Sequence, residues 1–237
     1  MRNLKAQLFV SFLFFLFLAC KPETDQKENL TEFEGQEKPQ ISSLLESGAL
    51  KLGRIAPVFE TIDKVVPFGE IVLIGLKNET DRDINFRIDC GTILRANDQK
   101  HQDLIVSRSL EGRVAAKSIW TGEAEVFALQ MKKQYPYKSE YTLGRIATTG
   151  DLRKFVECFC FYRPSTPSGQ SFDLTPVQYA IWKITENVSL SQILQYMKER
   201  TNSTEQELKQ AEEKVKEQAE YTQHLLDECH ISVKFLD

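Results

Sequence analysis

The chain has 237 residues, of which 41% are hydrophobic and 27% are charged, and its formal net charge is -4. This length and apolar content are typical of one medium-sized folded domain, with or without an appendage. The charges are of mixed sign, and no run of Lys and Arg is long enough to bind a phosphate backbone. We therefore expect no nucleic-acid partner.

The chain begins with MRNLKAQLFVSFLFFLFLAC, which has the pattern of a signal peptide. Arg2 and Lys5 give a positive start, and the apolar run 6–19 is too short to cross a bilayer, which takes a helix of about 20 residues. The run ends in Leu-Ala followed by Cys20, which resembles the lipobox of bacterial lipoproteins, in a looser form like that of spirochaetes. The resemblance implies that residues 1–19 are removed and that Cys20 carries acyl chains such as palmitate.

Such a lipid would anchor the protein in a membrane of the bacterial cell envelope, facing the periplasm or the cell surface. In the lipoproteins of enteric bacteria, an aspartate directly after the lipidated cysteine keeps the protein in the inner membrane. This chain has Lys21 at that position, and the resemblance therefore favours the outer membrane. The alternative is an ordinary cleaved signal peptide in which Cys20 is incidental. Residues 20–46 hold the lipidated cysteine and a polar tether, of which residues 21–40 are predicted to be disordered. The stretch 41–52 predicts a short helix that ends at Gly48.

Residues 47–170 predict an antiparallel β-sandwich, which makes the whole chain an α+β protein with a helical C-terminal region. Short apolar runs alternate there with turn residues, as sandwiches require. The runs 70–78 and 84–89 predict a hairpin with a longer loop, and the second of them alternates apolar and polar residues. Further strands are predicted over GTILRA, DLIVSR, RVAAKSIW and EAEVFALQM, with a turn at Thr121-Gly122 between the last two.

Residues 171–237 are predicted to be helical, with a possible final strand over HISVKFLD. A threonine before Pro176 predicts a helix start with proline in the first position. Ser189 and Ser203 are each followed three residues later by Gln, the pattern of a capping box. The second box precedes a long helix over about 204–228 with one apolar stripe. We expect the stripe to pack on its own domain, and a two-stranded coiled coil with another chain is the alternative.

The other cysteines are Cys90, Cys158, Cys160 and Cys229, an even number that predicts disulfides in an oxidising compartment. Interpreted as part of a strand, Cys158 and Cys160 would face the same side and would rarely bond each other. Each is therefore expected to pair with Cys90 or Cys229 and to tie the sandwich to the helices. Cys158, Cys160, Cys229 and His230 are suitable metal ligands, but their spacing differs from the C-x-x-C loops that wrap zinc, so we expect no metal site.

Two segments resemble the paired motifs of bacterial thioester domains, which are surface adhesins. One is the aromatic-flanked Cys160 and the other is VQYAIW, which contains Gln178. In that family the thiol attacks the glutamine amide, expels ammonia and leaves a thioester that captures amines on a host protein. The resemblance implies that Cys160 is the nucleophile and Gln178 the acyl donor. The opposing interpretation is a first-turn glutamine, exposed or capped, beside ordinary core side chains.

The common enzyme and cofactor motifs are absent from the sequence, which has no G-x-S-x-G, H-E-x-x-H, Walker loop or G-x-G-x-x-G. We therefore expect no enzyme and no cofactor. The primary prediction is a lipid-anchored envelope protein that acts as a non-enzymatic binding or structural module with a protein partner. The covalent adhesin is the alternative. A hydrolase with a triad assembled in space from one of three histidines, His101, His224 or His230, is a weaker third.

Overall fold

Strands fill the first part of the fold and helices the second. The computed structural model describes residues 40–58, 68–134, 140–147, 150–161, 174–200 and 204–236. The predicted signal peptide, Cys20 and most of the tether lie outside the described residues. The elements in chain order are α1 (Ile41–Glu46), β1 (Lys51–Pro57), β2 (Phe68–Lys77), β3 (Ile84–Ile88), β4 (Thr92–Ala96), β5 (Leu104–Val106), β6 (Leu110–Val114), β7 (Ile119–Ala128), β8 (Tyr141–Ile146), α2 (Gly150–Phe161), α3 (Thr175–Glu186), α4 (Leu190–Arg200) and α5 (Glu205–Glu228).

Every pairing between the named strands is antiparallel. Six strands form one sheet in the order β1-β2-β7-β5-β4-β8, and β3 pairs with β6 in a second sheet. The two ends of the large sheet approach each other, and Arg54 Nε of β1 lies 3.2 Å from Glu140 Oε1 next to β8. The predicted α+β fold of antiparallel strands followed by helices is confirmed. In the described part of the chain the large sheet curls toward a barrel, and two flat sheets packed face to face are not evident there.

The interior of the curled sheet is an apolar core built by alternation along the strands. Val72, Ile74 and Leu76 of β2 are buried, and the residues between them face outward, because side chains alternate across a strand. Phe86 of β3 is fully buried in the same core and meets Trp120 of β7 edge to face, with ring centroids 4.7 Å apart. The small β3-β6 sheet thus packs against the inner face of the large one.

Three strand predictions in the sheet region are wrong. The run RVAAKSIW is not one strand, because β6 ends at Val114 and β7 begins at Ile119 after a turn. The runs 70–78 and 84–89 do not form a hairpin, because β2 pairs with β1 and β7 whereas β3 pairs with β6. The pair Thr121-Gly122 is not a turn but lies inside the continuous strand β7. A glycine fits there because the Trp120 ring occupies the space that a Cβ at Gly122 would take.

The C-terminal helices pack on the outer face of the large sheet around α3. Residues 176–182 of α3 are all buried. The stripe of α5 contacts this helix, and Thr222 Oγ1 donates a hydrogen bond to the backbone oxygen of Pro176 at 3.3 Å. Val215 and Leu226 of the stripe are also buried, so the prediction that α5 packs on its own domain is confirmed. No helix in the described part of the chain is both long and apolar enough to cross a membrane.

The predicted final strand is wrong, since residues 231–236 form no ladder with a sheet. The tail is instead bound to α5, where Gln223 Oε1 accepts hydrogen bonds from the backbone N–H groups of Phe235 and Leu236 at 2.6 and 3.3 Å. Ile231 and Phe235 are buried in the helical core. The alternation that predicted a strand therefore reflects a tail that lies with one side on the core.

One of the two predicted capping boxes is confirmed and the other begins one residue later. Ser189 Oγ accepts from Gln192 N at 3.3 Å, and Gln192 Oε1 accepts from Ser189 N at 2.8 Å. Before α5 the box joins Thr204 and Glu207, which lie one position beyond the predicted pair. The pKa of the Glu207 carboxyl is lowered, because it accepts hydrogen bonds from the backbone and hydroxyl of Thr204.

Thr204→Ala is expected to lower the free energy of unfolding by about 1 kcal/mol, the typical cost of losing an N-cap. The substitution removes the hydroxyl that accepts the Glu207 N–H. It also raises the pKa of Glu207 part of the way toward its ordinary value, because the backbone N–H of residue 204, the larger cause of the lowered pKa, still donates to the carboxyl while the hydroxyl contact is lost. A carboxyl whose pKa is lower in the folded protein than in the unfolded protein stabilises the fold above the unfolded-state pKa, and this stability is lost as the pH falls through the folded-state pKa. The variant has less of this stability to lose, so acidification destabilises it less than the unchanged protein. Urea titrations at neutral and acid pH measure both effects, and an equal acid dependence in both proteins would contradict the assignment.

Candidate functional site

Helix α2 carries the cysteine pair that the sequence analysis placed in a strand. The structure corrects this, since Gly150–Phe161 is helical. Its buried or half-buried apolar residues are Leu152, Phe155, Val156 and Phe159, and they follow the helical spacing i, i+3, i+4, i+7. This spacing of apolar residues indicates a helix. The run of aromatic and cysteine side chains at the end of the segment resembles a strand instead.

Two disulfides fix α2 to the rest of the fold. Cys160 is bonded to Cys90 with a Cα–Cα distance of 6.2 Å, and Cys158 is bonded to Cys229 with 5.6 Å. Residues two apart on a helix point about 200° away from each other, so the two sulfurs reach opposite sides. The structure agrees with the prediction that each pairs with Cys90 or Cys229. The two cysteines bond different partners because they lie on a helix, which directs their side chains to opposite sides, and not because they lie on a strand.

The turn after β3 positions Cys90 against α2. Cys90 N donates to Ser109 Oγ at 3.0 Å, and Gly91 N donates to Val106 O at 2.8 Å. Gly91 has a positive φ of 87°, and a Cβ there would lie 2.6 Å from Cγ1 of Val156 on α2. A residue without a side chain is therefore needed for the turn to approach the helix closely enough for the Cys90–Cys160 bond.

An open cavity of about 390 Å³ lies where the ends of β3 and β8 meet α2, and the Cys90–Cys160 disulfide forms part of its wall. Two charged pairs also line it. Arg87 is paired with Asp89 after β3, and on α2 the Nε of Arg153 donates to Glu157 Oε1 at 2.7 Å. Apolar surface comes from Val156 and Ile146. The cavity thus combines a disulfide, both signs of charge and an apolar wall.

The charged residues of this cavity were not predicted from the sequence. Arg153 and Glu157 are spaced i, i+4, which places them together only on a helix. Because this segment was predicted to be a strand, the spacing of the two residues did not indicate an ion pair. Arg87 and Asp89 are separated by one residue at the end of a correctly predicted strand, and only the tertiary packing of α2 brings them to the same cavity. Its volume is within the range of about 300–1,000 Å³ that is usual for small-ligand sites.

The structure does not bring Cys160 and Gln178 together as a thioester would require. The sulfur of Cys160 is bonded to Cys90. The side chain of Gln178 is fully buried, and its amide forms a two-way hydrogen bond with Ala128, donating to the backbone oxygen at 2.7 Å and accepting from the backbone nitrogen at 2.9 Å. Gln178 is therefore neither exposed nor a helix cap, and this arrangement offers no support to the covalent adhesin.

The histidines have other surroundings. His101 Nδ1 lies 3.5 Å from Asp98, and His224 Nδ1 lies 3.6 Å from Glu228 on the exposed side of α5. None of the histidines lines the cavity beside the disulfide. Within the described ranges, no three His, Cys, Asp or Glu side chains are grouped so that they could hold a metal ion.

Comparison of the chain with protein-family models, with curated proteins and with solved structures found no match.

Proposed function

We propose that this protein is an exported, lipid-anchored component of a bacterial cell envelope, and that it acts as a non-enzymatic binding module whose ligand site is the cavity beside Cys90–Cys160. The observation that carries the proposal is this charge-lined cavity with a disulfide in its wall. A protein partner in the envelope, expected from the sequence, remains part of the proposal.

Two independent features support export. Disulfides persist in oxidising compartments such as the bacterial periplasm and cell surface and are rare in the cytosol. The two bridges in this fold span 70 and 71 residues and tie the sheet region to the helices. The sequence before Cys20 has the charge and apolar length of a signal peptide, and it ends in a lipobox-like tripeptide. The disulfides and the N-terminal sequence therefore both support export.

The binding role is supported by the cavity and its setting. The residues that line it come from four separate places, the β3 end, the loop between β5 and β6, the β8 end and α2, and the disulfide holds the first and the last of these together. Because the disulfide fixes this wall, the wall is already ordered before a ligand binds. This lowers the free-energy cost of ordering the site on binding. Charged pairs beside an apolar wall give a ligand both orientation and burial.

Palmitate labelling tests the anchor. We expect that the full chain, produced in a diderm bacterium grown with labelled palmitate, is labelled and sediments with membranes. Cys20→Ala is expected to lose the label and the sedimentation. Cys158→Ala is the matched cysteine control and is expected to keep both. Label on the Cys20→Ala protein, or absence of label from the unchanged chain, would contradict the proposed lipid anchor.

A further inference from the structure

We propose that the Cys90–Cys160 cavity is a thiol-exchange site, and that its ligand is a small zwitterionic thiol which forms a mixed disulfide with Cys160. The inference rests on the proposed function, because the disulfide is present only if the protein is exported. It adds to that function the chemical class of the ligand and the atom to which the ligand bonds.

Access distinguishes this bridge from the other one. Cys90 and Cys160 are both partly exposed, and both line the cavity. In the other bridge Cys158 is partly exposed as well, but Cys229 is only 6% exposed and belongs to the helical core, and neither of them lines the cavity. Exchange requires a thiolate to reach a disulfide sulfur, so accessibility controls the rate. The cavity therefore gives a small thiol a route to both sulfurs of the Cys90–Cys160 bridge, whereas one sulfur of the other bridge is buried.

The charges of the cavity select the kind of thiol. Arg87 with Asp89 lies on one side and Arg153 with Glu157 on the other, so both signs of charge are near the disulfide. A ligand with carboxylate and ammonium groups can meet arginine with the first and Asp or Glu with the second. A small thiol of the amino-acid or short-peptide type has these groups, and the cavity of about 390 Å³ is of small-ligand size.

The surroundings of the two sulfurs indicate which one is attacked. Cys160 is in the last turn of α2, where the negative end of the helix dipole disfavours a departing thiolate. The Sγ of Cys90 is not at a helix C-terminus; it lies 3.0 Å from the backbone oxygen of Ser107, which does not stabilise the departing thiolate but can accept a hydrogen bond once that sulfur has taken up a proton. We therefore expect attack on Cys160 and release of Cys90.

The exchange balances without an external oxidant. The ligand thiolate attacks Cys160 Sγ and forms a new S–S bond, the Cys160–Cys90 bond breaks, and Cys90 leaves with the electron pair and takes up one proton. The number of disulfide bonds is unchanged in this step. A second thiolate of the same class can then attack the mixed disulfide, releasing the ligand as its own disulfide and leaving Cys160 as a thiol.

The test uses the oxidised full chain with reduced glutathione as the zwitterionic thiol and 2-mercaptoethanol as the uncharged one. Samples are acid-quenched, alkylated and mapped as peptides by mass spectrometry. We expect Cys90–Cys160 to open at least about tenfold faster than Cys158–Cys229, because access controls exchange. We also expect the glutathione adduct on Cys160 and the alkyl group on Cys90. Equal opening of both bridges, or an adduct mainly on Cys90, would overturn the proposal.

Charge recognition is tested with Arg87→Gln and Arg153→Gln combined. We expect the ratio of the glutathione rate to the mercaptoethanol rate to fall about fivefold, the effect of losing two partly exposed ion contacts. Arg113→Gln is the matched control, since Arg113 is an exposed arginine paired with Asp83 and does not line the cavity. The mercaptoethanol rate and an intact Cys158–Cys229 bridge verify folding. An unchanged ratio, or opening by a protein dithiol but not by glutathione, would contradict the zwitterionic ligand. Neither result would alter the palmitate labelling.

Discussion

Gln178→Met is expected to lower the free energy of unfolding by about 3 kcal/mol, because it leaves a buried N–H and a buried C=O without partners. Both groups belong to Ala128 and now bind the Gln178 amide. Leu129 N already donates to Asp103 beside β5. Backbone groups of successive strand residues point to opposite sides, so the Ala128 groups point away from β5, and no methionine atom can replace the amide there.

Urea denaturation of the variant measures this effect, and Gln195→Met is the matched control. Gln195 is exposed on α4 and its amide donates only to Glu199, four residues along the same helix. We expect that control to change the unfolding free energy by less than about 0.5 kcal/mol. A Gln178→Met protein as stable as the control would show that the hydrogen bonds to Ala128 do not form.

Cys158→Ala combined with Cys229→Ala is expected to cost about 4 kcal/mol, the chain-entropy value for a loop of this length. The bridge joins residues 71 apart in sequence and fixes the C-terminal end of α5 to α2. Alanine avoids a polar group at the buried Cys229 position. Guanidinium denaturation of the oxidised proteins measures the loss.

Cys90→Ala combined with Cys160→Ala is the matched comparison for this variant. Its bridge joins residues 70 apart, so the chain-entropy term is nearly equal. The difference between the two double variants then measures packing, and we expect the Cys158 and Cys229 pair to cost more because Cys229 is buried in the helical core. A cost below about 1 kcal/mol for both pairs would contradict cross-linking as a source of stability.

Features with a local cause were predictable from the sequence. The strands β2 and β3 have alternating or continuous apolar residues, and the Ser189 capping box depends on residues three apart. The bounds of α5 were predicted within one residue, because one stripe of apolar positions continues along a charged helix. In each case the residues that determine the structure are close together in the sequence.

Features that depend on distant partners were not predictable. Strand β2 pairs with β1 and with β7, strand β3 pairs with β6, and only packing selects these pairs over a hairpin between β2 and β3. Gln178 binds a backbone 50 residues away, and no local pattern distinguishes it from a surface glutamine. The charged residues of the cavity belong to this class as well, because they meet only after α2 docks. Helix α2 is a different case. The helical spacing of its apolar residues is present in the sequence, but the segment was predicted to be a strand.

The intact mass of the exported, unreduced protein together with its peptide map tests the two disulfides most directly. We expect a mass lower by two hydrogens per bridge, four in all, with peptides linked through Cys90–Cys160 and Cys158–Cys229. A loss of one ammonia that methylamine reverses, with Cys160 joined to Gln178, would contradict this pairing and would make the protein a covalent adhesin.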